Sequence, residues 1–106
     1  MKKVIAVILQ PGRHWDHAKG VREQAFWDEH AQFIDDLFAR GVILMAGPFE
    51  PAGTGALVIL NVNTPEQAHA IYDHDPWKHQ GILRVAEARE WIIYLDARET
   101  GVTAER

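Results

Sequence analysis

The sequence of 106 residues contains no cysteine and no serine. Without cysteine there are no disulfide bonds and no thiol nucleophile, so redox chemistry does not fix the compartment, and the cytoplasm is expected by default. The hydroxyl side chains that remain besides tyrosine are the threonines, which are predicted in a loop, at a helix cap and in the tail: Thr54, Thr64, Thr100 and Thr103. Covalent catalysis through a hydroxyl nucleophile therefore has no obvious place.

Basic clusters and long apolar runs are also missing. The 11 Lys and Arg residues are scattered along a chain with 15 Asp and Glu residues and a net charge of −4. Nucleic-acid binding and attraction to anionic lipid are therefore not expected. The apolar start from Val4 to Leu9 is too short for a secretory signal, and no run approaches the length of a membrane span. We expect a cytoplasmic protein with no nucleic-acid or membrane partner.

The residues that are present suffice for one hydrophobic core. Apolar residues make up 47% of the chain and charged residues 25%, which is ordinary for a globular domain. A monomer of this size buries only about two-thirds of the surface of its unfolded chain, so a second subunit would add stability. We predict one domain over residues 1–97 and a flexible tail over residues 98–106.

Hydrophobic periodicity and turn residues predict the element order β-α-β-β-α-β. The predicted elements are strands at 4–9, 42–46, 56–62 and 82–95, with an irregularity at 87–90, and helices at 21–40 and 65–73. This order is typical of a ferredoxin-like sandwich, an α+β fold in which two helices cover one face of a four-stranded antiparallel sheet. Because the first and third strands are apolar on both sides, the bare face should pack against another subunit as a homodimer.

The first predicted helix carries an imidazole inside its apolar stripe. Apolar residues recur there at helical spacing: Phe26, Phe33, Ile34 and Leu37. His30 lies among them, either as a core residue hydrogen-bonded to backbone or as an acid–base group, and its partner decides which. Trp27 flanks the same stripe, where it packs or reaches the mouth of a pocket.

The stretch from Asp73 to His79 combines carboxylates, imidazoles, a proline and an indole. Pro76 keeps Asp75 out of the helical region, so the second helix should end near Asp73 and hold Asp75 at a defined position. This carboxylate either caps the turn after the proline or is a positioned functional group. Because both helices lie on the same face of the predicted sheet, His30 and Asp75 can meet.

Metal binding is the competing chemistry, because several histidines lie beside the two aspartates of this stretch: His14, His17, His30, His74 and His79. Their spacing matches no common metal-ligand motif. His69 is expected to be exposed to solvent. Neither a metal nor another cofactor is therefore expected. Haem-degrading relatives of the fold need an axial histidine in a wide pocket, an alternative that the sequence leaves open.

Four motifs follow one another along nearly the whole chain. They are HAQFI at 30–34, GVILMAGP at 41–48, Gly55 before an apolar strand, and DPW at 75–77 followed by Gly81. Together they resemble the YCII-related (YciI-like) family. The resemblance implies a dimeric α/β-barrel fold and an active site of one histidine and one aspartate, which fall on His30 and Asp75. A relative that dechlorinates a hydroxylated aromatic ring, and a similarity to muconolactone isomerases, indicate the chemistry that such a site supports.

Two positions depart from the family pattern. Some members carry an arginine three residues before the histidine, where this chain has Trp27, and many have phenylalanine or tyrosine after Asp-Pro, where it has Trp77. These differences predict a pocket of different shape.

Two classes of function follow. The first is a small cytoplasmic enzyme with general acid–base chemistry, such as isomerisation, elimination or a dehydrochlorination-like step, on a small cyclic or aromatic compound. In it His30 is the acid or base, Asp75 orients it, and the substrate contacts four residues: Trp27, Gly47, Pro48 and Trp77. The second is a non-catalytic domain for small-ligand binding or assembly, in which the His-Asp pair is structural. A cleft open to solvent at these residues favours the enzyme, and a sealed pair favours the second class.

Overall fold

The computed structural model describes residues 2–98. Of the predicted tail, only Arg98 lies within this range, and residues 99–106 lie outside the described residues. The strands and helices are β1 (Lys2–Pro11), α1 (Trp27–Ala39), β2 (Ile43–Pro48), β3 (Ala56–Leu60), α2 (Pro65–Tyr72), α3 (Pro76–His79) and β4 (Leu83–Ile93). None of the helices within residues 2–98 is long and apolar enough to cross a membrane.

The strands form one antiparallel sheet in the order β2-β3-β1-β4. The two strands with apolar residues on both sides, β1 and β3, are the inner ones, as their composition predicts. The fold is therefore α+β with the ferredoxin-like arrangement that the order of elements predicts.

The helices pack on one face of this sheet. The core between them contains Ile5, Val7, Leu9, Leu37, Ile43, Val58, Leu60, Ala68 and Tyr72. On the opposite face, strand alternation places Ala6, Ile8, Leu57 and Ile59. No helix among the described residues covers this second face, which we call the bare face. Ile59 is nevertheless buried, and the other three side chains are half-buried.

The start of α1 differs from the prediction, which placed it at Val21. The observed helix begins at Trp27, because Phe26 has a left-handed backbone with φ of 62° and interrupts the helical path. The segment Val21–Glu23 forms only a short 3-10 turn. Phe26 consequently leaves the predicted apolar stripe and is exposed.

The start of α2 follows the predicted capping pattern. The Thr64 side chain accepts a hydrogen bond from the Gln67 backbone N–H, and Pro65 occupies the first turn. The helix ends at Tyr72, one residue before the predicted end. In β4 the register against β1 shifts so that Ala86 is the extra residue, one position before the predicted irregularity.

The antiparallel pairing brings the ends of β1 and β2 and the starts of β3 and β4 to one edge of the sheet. The connections at 12–26, 49–55 and 73–82 therefore gather there. Gly12 donates its N–H to the Ile82 carbonyl at 2.8 Å, and a Cβ on Gly12 would lie 2.2 Å from the Gly81 oxygen. A Cβ on Gly55, whose φ is +109°, would likewise lie 2.2 Å from the Leu9 carbonyl oxygen. These contacts need glycine, and they hold the connections against one another.

Candidate functional site

His30 and Asp75 form a buried pair between α1 and the turn after α2. The imidazole Nδ1 lies 2.9 Å from one carboxylate oxygen of Asp75 and 3.0 Å from the other. His30 is 8% exposed and Asp75 is 0% exposed. A carboxylate so far from water requires hydrogen-bonding partners, and the imidazole is one of them. The structure thus brings together the two residues that the sequence suggested could meet.

The second partner of Asp75 is backbone. Its Oδ1 accepts a hydrogen bond from the Trp77 N–H at 2.9 Å, which makes Asp75 the N-cap of α3. Pro76 occupies the first helical position and leaves Asp75 in extended backbone, as predicted. Capping and pairing with the imidazole are therefore simultaneous contacts of one carboxylate.

An indole fixes the plane of the imidazole. The rings of His30 and Trp77 stack with centroids 3.9 Å apart and planes 6° apart. Trp77 is itself fixed, because its indole N–H donates to the Ala25 carbonyl at 2.7 Å. An ionised carboxylate only accepts hydrogen bonds, so beside one the proton of a neutral imidazole belongs on Nδ1, and Nε2 then presents a lone pair. Nε2 makes no hydrogen bond with any residue in the range 2–98.

Three tryptophans cluster at the imidazole, two of them beside its ring and the third against Trp77. Trp15 meets Trp77 edge to face with centroids 5.6 Å apart, and Trp27 lies at the same distance from Trp77 in a tilted arrangement. Trp27 also lies 6.0 Å from the His30 ring. These separations are within the range at which aromatic pairs attract each other.

The tryptophans and His30 line a cavity of about 260 Å³. All four residues that the sequence suggested for substrate contact also line it: Trp27, Gly47, Pro48 and Trp77. Gly47 and Pro48 are exposed, so the cavity reaches the surface at the end of β2. Asp75 lies behind His30 and does not line the cavity.

Sequence reasoning missed Trp15 and Gln24. Trp15 lies in a polar connection, which by itself does not indicate a pocket. The predicted topology, however, places that connection at the same edge of the sheet as Gly47 and Trp77, and this could have indicated that Trp15 lies near them. Gln24 is 4% exposed. Its side chain accepts from the Asp16 N–H at 2.9 Å and donates to the Asp16 carbonyl at 2.8 Å, which holds the connection folded over the cavity. No pattern around Gln24 indicates this role.

Tyr72 lies beneath the pair. Burial raises the pKa of its hydroxyl, and the Asp75 carboxylate raises the pKa further, so this phenol stays protonated near neutral pH. Within residues 2–98 its hydroxyl is the buried side-chain polar atom that has no hydrogen-bond partner. Tyr72 does not line the cavity.

The remaining histidines do not gather at the cavity. His14 contacts the Gln80 carbonyl through Nδ1 at 3.1 Å, and three others are exposed: His17, His74 and His79. Asp73 pairs with Lys78, whose hydrogen bond lowers the pKa of that carboxyl. In the described part of the chain, no group of three or more His, Cys, Asp or Glu residues could hold a metal ion.

Comparisons with known proteins agree with this fold. A family model described as YCII-related domain matches residues 6–92. Among solved structures, the chain is similar to 5-chloro-2-hydroxyhydroquinone dehydrochlorinase from Burkholderia phenoliruptrix AC1100 in complex with 2,5-dihydroxybenzoquinone, with a TM-score of 0.56 and 18% identity. The alignment covers 84% of this chain and 92% of the dehydrochlorinase. No curated protein sequence matches the chain.

Proposed function

Because the chain belongs to the YCII-related family, we propose that it is a small cytoplasmic enzyme that moves a proton on a small cyclic or aromatic compound. His30 is the general acid–base group and Asp75 orients it. The observation that carries this proposal is the hydrogen bond of 2.9 Å between Nδ1 of His30 and the Asp75 carboxylate, made by an imidazole that lines an apolar cavity.

The proposed chemistry follows from the tautomer. With Nδ1–H held by the carboxylate, Nε2 accepts a proton from a C–H or O–H of the substrate, and Asp75 stabilises the resulting imidazolium. In an isomerisation the imidazolium returns that proton to another carbon of the ring. In an elimination, the electron pair of the broken C–H bond forms a double bond as a leaving group such as chloride departs. Such positioned proton transfer contributes roughly 10²–10⁴-fold to rate.

The walls of the cavity suit a ring. Trp27 and Trp77 offer aromatic surface, and Gly47 and Pro48 border the opening. We propose these four residues as the substrate contacts. The dehydrochlorinase of similar fold was solved with 2,5-dihydroxybenzoquinone, which supports a small ring compound as the ligand here. The same likeness makes a dehydrochlorination-like elimination one of the candidate reactions.

A non-catalytic role is the second candidate, and one contact favours it. Asp75 caps α3 through the Trp77 N–H, so the pair also ties the turn after α2 to α1. In this alternative the protein binds a small ligand or assembles with another subunit, and the pair only maintains the fold.

Ligand screening followed by proton exchange tests the proposal. Ring compounds should raise the melting temperature of the wild type, and the hits should exchange a ring or α-carbon proton with D₂O when followed by NMR. His30→Ala should lose this exchange, because no other side chain from residues 2–98 that lines the cavity is an effective base. His74→Ala, which changes an exposed histidine, is the matched control. Exchange at the wild-type rate in His30→Ala would contradict an acid–base role.

We further propose that the protein is a homodimer joined through the bare face. Trp91 is 46% exposed and pairs with Val4 in the sheet, beside the apolar residues of that face. Stable interfaces bury about 1,200–2,000 Å² in total, and we expect an interface formed by two bare faces to persist at micromolar concentration. Light scattering at that concentration should then give twice the monomer mass of 12.0 kDa.

Trp91→Lys should shift this particle toward the monomer, because a lysine would be desolvated in the interface. Phe38→Lys is the control, since Phe38 is exposed on α1, on the helical side of the sheet. A wild-type particle of 12.0 kDa would contradict the dimer.

A further inference from the structure

We infer that the cavity selects uncharged ring compounds and rejects ring compounds that carry a carboxylate, a phosphate or an ammonium group. This inference rests on the site proposed above and names the class of molecule that the site takes. It follows from the polar atoms that the cavity offers, from the position of Asp75 behind the imidazole, and from the volume available.

The side chains that line the cavity include no Lys, Arg, Asp or Glu among the described residues. Their polar side-chain atoms belong to one histidine and three tryptophans. The indole N–H of Trp77 is already used, because it donates to the Ala25 carbonyl. The side-chain groups left for a ligand are Nε2 of His30 and the indole N–H groups of Trp15 and Trp27, which donate to no other residue within 2–98. All three are uncharged groups, suited to a hydroxyl or a carbonyl oxygen.

An anionic group would be poorly placed in this cavity. A buried carboxylate needs a cationic or hydrogen-bonding partner, and its desolvation is costly without one. Among the described residues on the wall, the free indole N–H groups are neutral donors, and the His30 imidazole is the group that can become positive. Its Nδ1 already contacts the carboxylate of Asp75. A second anion at Nε2 would therefore share one imidazolium with Asp75, and the two anions would repel each other.

A cationic group would also lack a partner. The carboxylate of Asp75 is 0% exposed, and its oxygens contact Nδ1 of His30 and the Trp77 N–H. The imidazole ring stands between this carboxylate and the cavity. One face of the Trp77 indole is covered by the same imidazole, so that face cannot form a cation–π contact with a ligand.

The volume limits the size of the ring system. A cavity of about 150 Å³ in another protein holds one benzene molecule. The cavity here, about 260 Å³, is therefore large enough for one ring with substituents or for two fused rings. An uncharged bicyclic phenol is a suitable probe, because its body meets the apolar walls and its hydroxyl can reach Nε2.

Three probes with the same body test the inference by calorimetric titration near pH 7: 1-naphthol, 1-naphthoate and 1-naphthylmethylammonium. At this pH the phenol is uncharged, while the carboxylate and the ammonium are ionised. We expect 1-naphthol to bind at least about tenfold more tightly than either charged analogue. Binding of a charged analogue as tight as that of 1-naphthol, or no measurable binding of 1-naphthol at millimolar concentration, would overturn the inference.

Two substitutions at one wall position sharpen the test. Trp27→Arg places a cation on the wall and should improve binding of 1-naphthoate relative to 1-naphthol by at least about tenfold. Trp27→Leu is the matched control, and it should weaken all three probes while 1-naphthol remains preferred. Thermal melts establish that both variants are folded. An unchanged preference in a folded Trp27→Arg would overturn the inference.

Failure of this inference and failure of the proposed function give different results. The preference among the probes is measured without turnover. A preference for 1-naphthol together with exchange that survives in His30→Ala would contradict the acid–base role alone. Equal binding of the charged probes together with exchange that depends on His30 would contradict the charge selection alone.

Discussion

Asp75→Asn should fold like the wild type and lose at least about 10³-fold of its turnover, because the variant holds the wrong tautomer of the imidazole. The amide oxygen can still accept the Trp77 N–H and cap α3. The amide nitrogen then replaces the oxygen that lies 3.0 Å from Nδ1, and it can only donate. An Nδ1–H would then face this N–H donor at 3.0 Å as well as the amide oxygen at 2.9 Å, whereas an unprotonated Nδ1 accepts from the amide nitrogen. We therefore expect the proton to move to Nε2, which then no longer acts as a base. The charge that stabilises the imidazolium is also lost.

The change of tautomer can be measured without a substrate. Nitrogen-15 NMR of the His30 ring should show a protonated Nδ1 in the wild type and a protonated Nε2 in Asp75→Asn. Turnover is then compared on any substrate that the ligand screen identifies. Asp73→Asn changes an exposed carboxylate two positions away and should alter neither result.

A fully active Asp75→Asn would contradict the mechanism. If the pair is only structural, the same variant should show a lower melting temperature and intact ligand binding.

Trp77→Ala should lower the free energy of unfolding by about 3–5 kcal/mol. The Trp77 side chain is 3% exposed, stacks on His30 and donates to the Ala25 carbonyl. Its removal leaves a void next to Trp15 and Trp27 and frees the connection at 12–26 from α3. Since native proteins have only about 5–15 kcal/mol of stability in total, this loss is a large fraction of it, and the variant should melt at a clearly lower temperature than the wild type.

Urea unfolding of Trp77→Ala and Trp77→Phe provides the measurement. The phenylalanine keeps the ring and loses the hydrogen bond, so its loss should fall between those of the wild type and the alanine variant. Phe38→Ala removes an apolar ring that is 62% exposed, and it should change stability by no more than about 0.5 kcal/mol. A loss below about 1 kcal/mol in Trp77→Ala would show that the cluster contributes little to folding.

Much of the fold was predictable because its signals are local. The β-branched run of β1 predicts an inner strand, and Thr64 with Pro65 predicts the start of α2, which the structure confirms. The turn at Asp75 was predictable for the same reason, since Pro76 restricts the residue before it. The proximity of His30 and Asp75 follows from the topology, because both helices lie on one face of the sheet.

The start of α1 and the wall of the cavity were not predictable from local signals. A left-handed conformation at a phenylalanine runs against its backbone preference, so nothing in the residues around Phe26 indicates that the helix begins only at Trp27. Gln24 bonds to backbone eight residues earlier, at Asp16, a contact that exists only once the connection has folded. Trp15 joins the cavity through that same folded connection, and its position therefore depends on tertiary structure.

The two contacts of Asp75 have a consequence for which sequences this position tolerates. Capping α3 requires only a short side chain with an acceptor oxygen, and asparagine, serine and threonine also satisfy that requirement. Support of an imidazolium requires a negative charge, which among side chains of this length only aspartate supplies. Substitutions at residue 75 that pass a selection for folding would therefore include inactive caps. The identity of this single residue would then separate members of the fold that transfer protons from members that merely retain the turn.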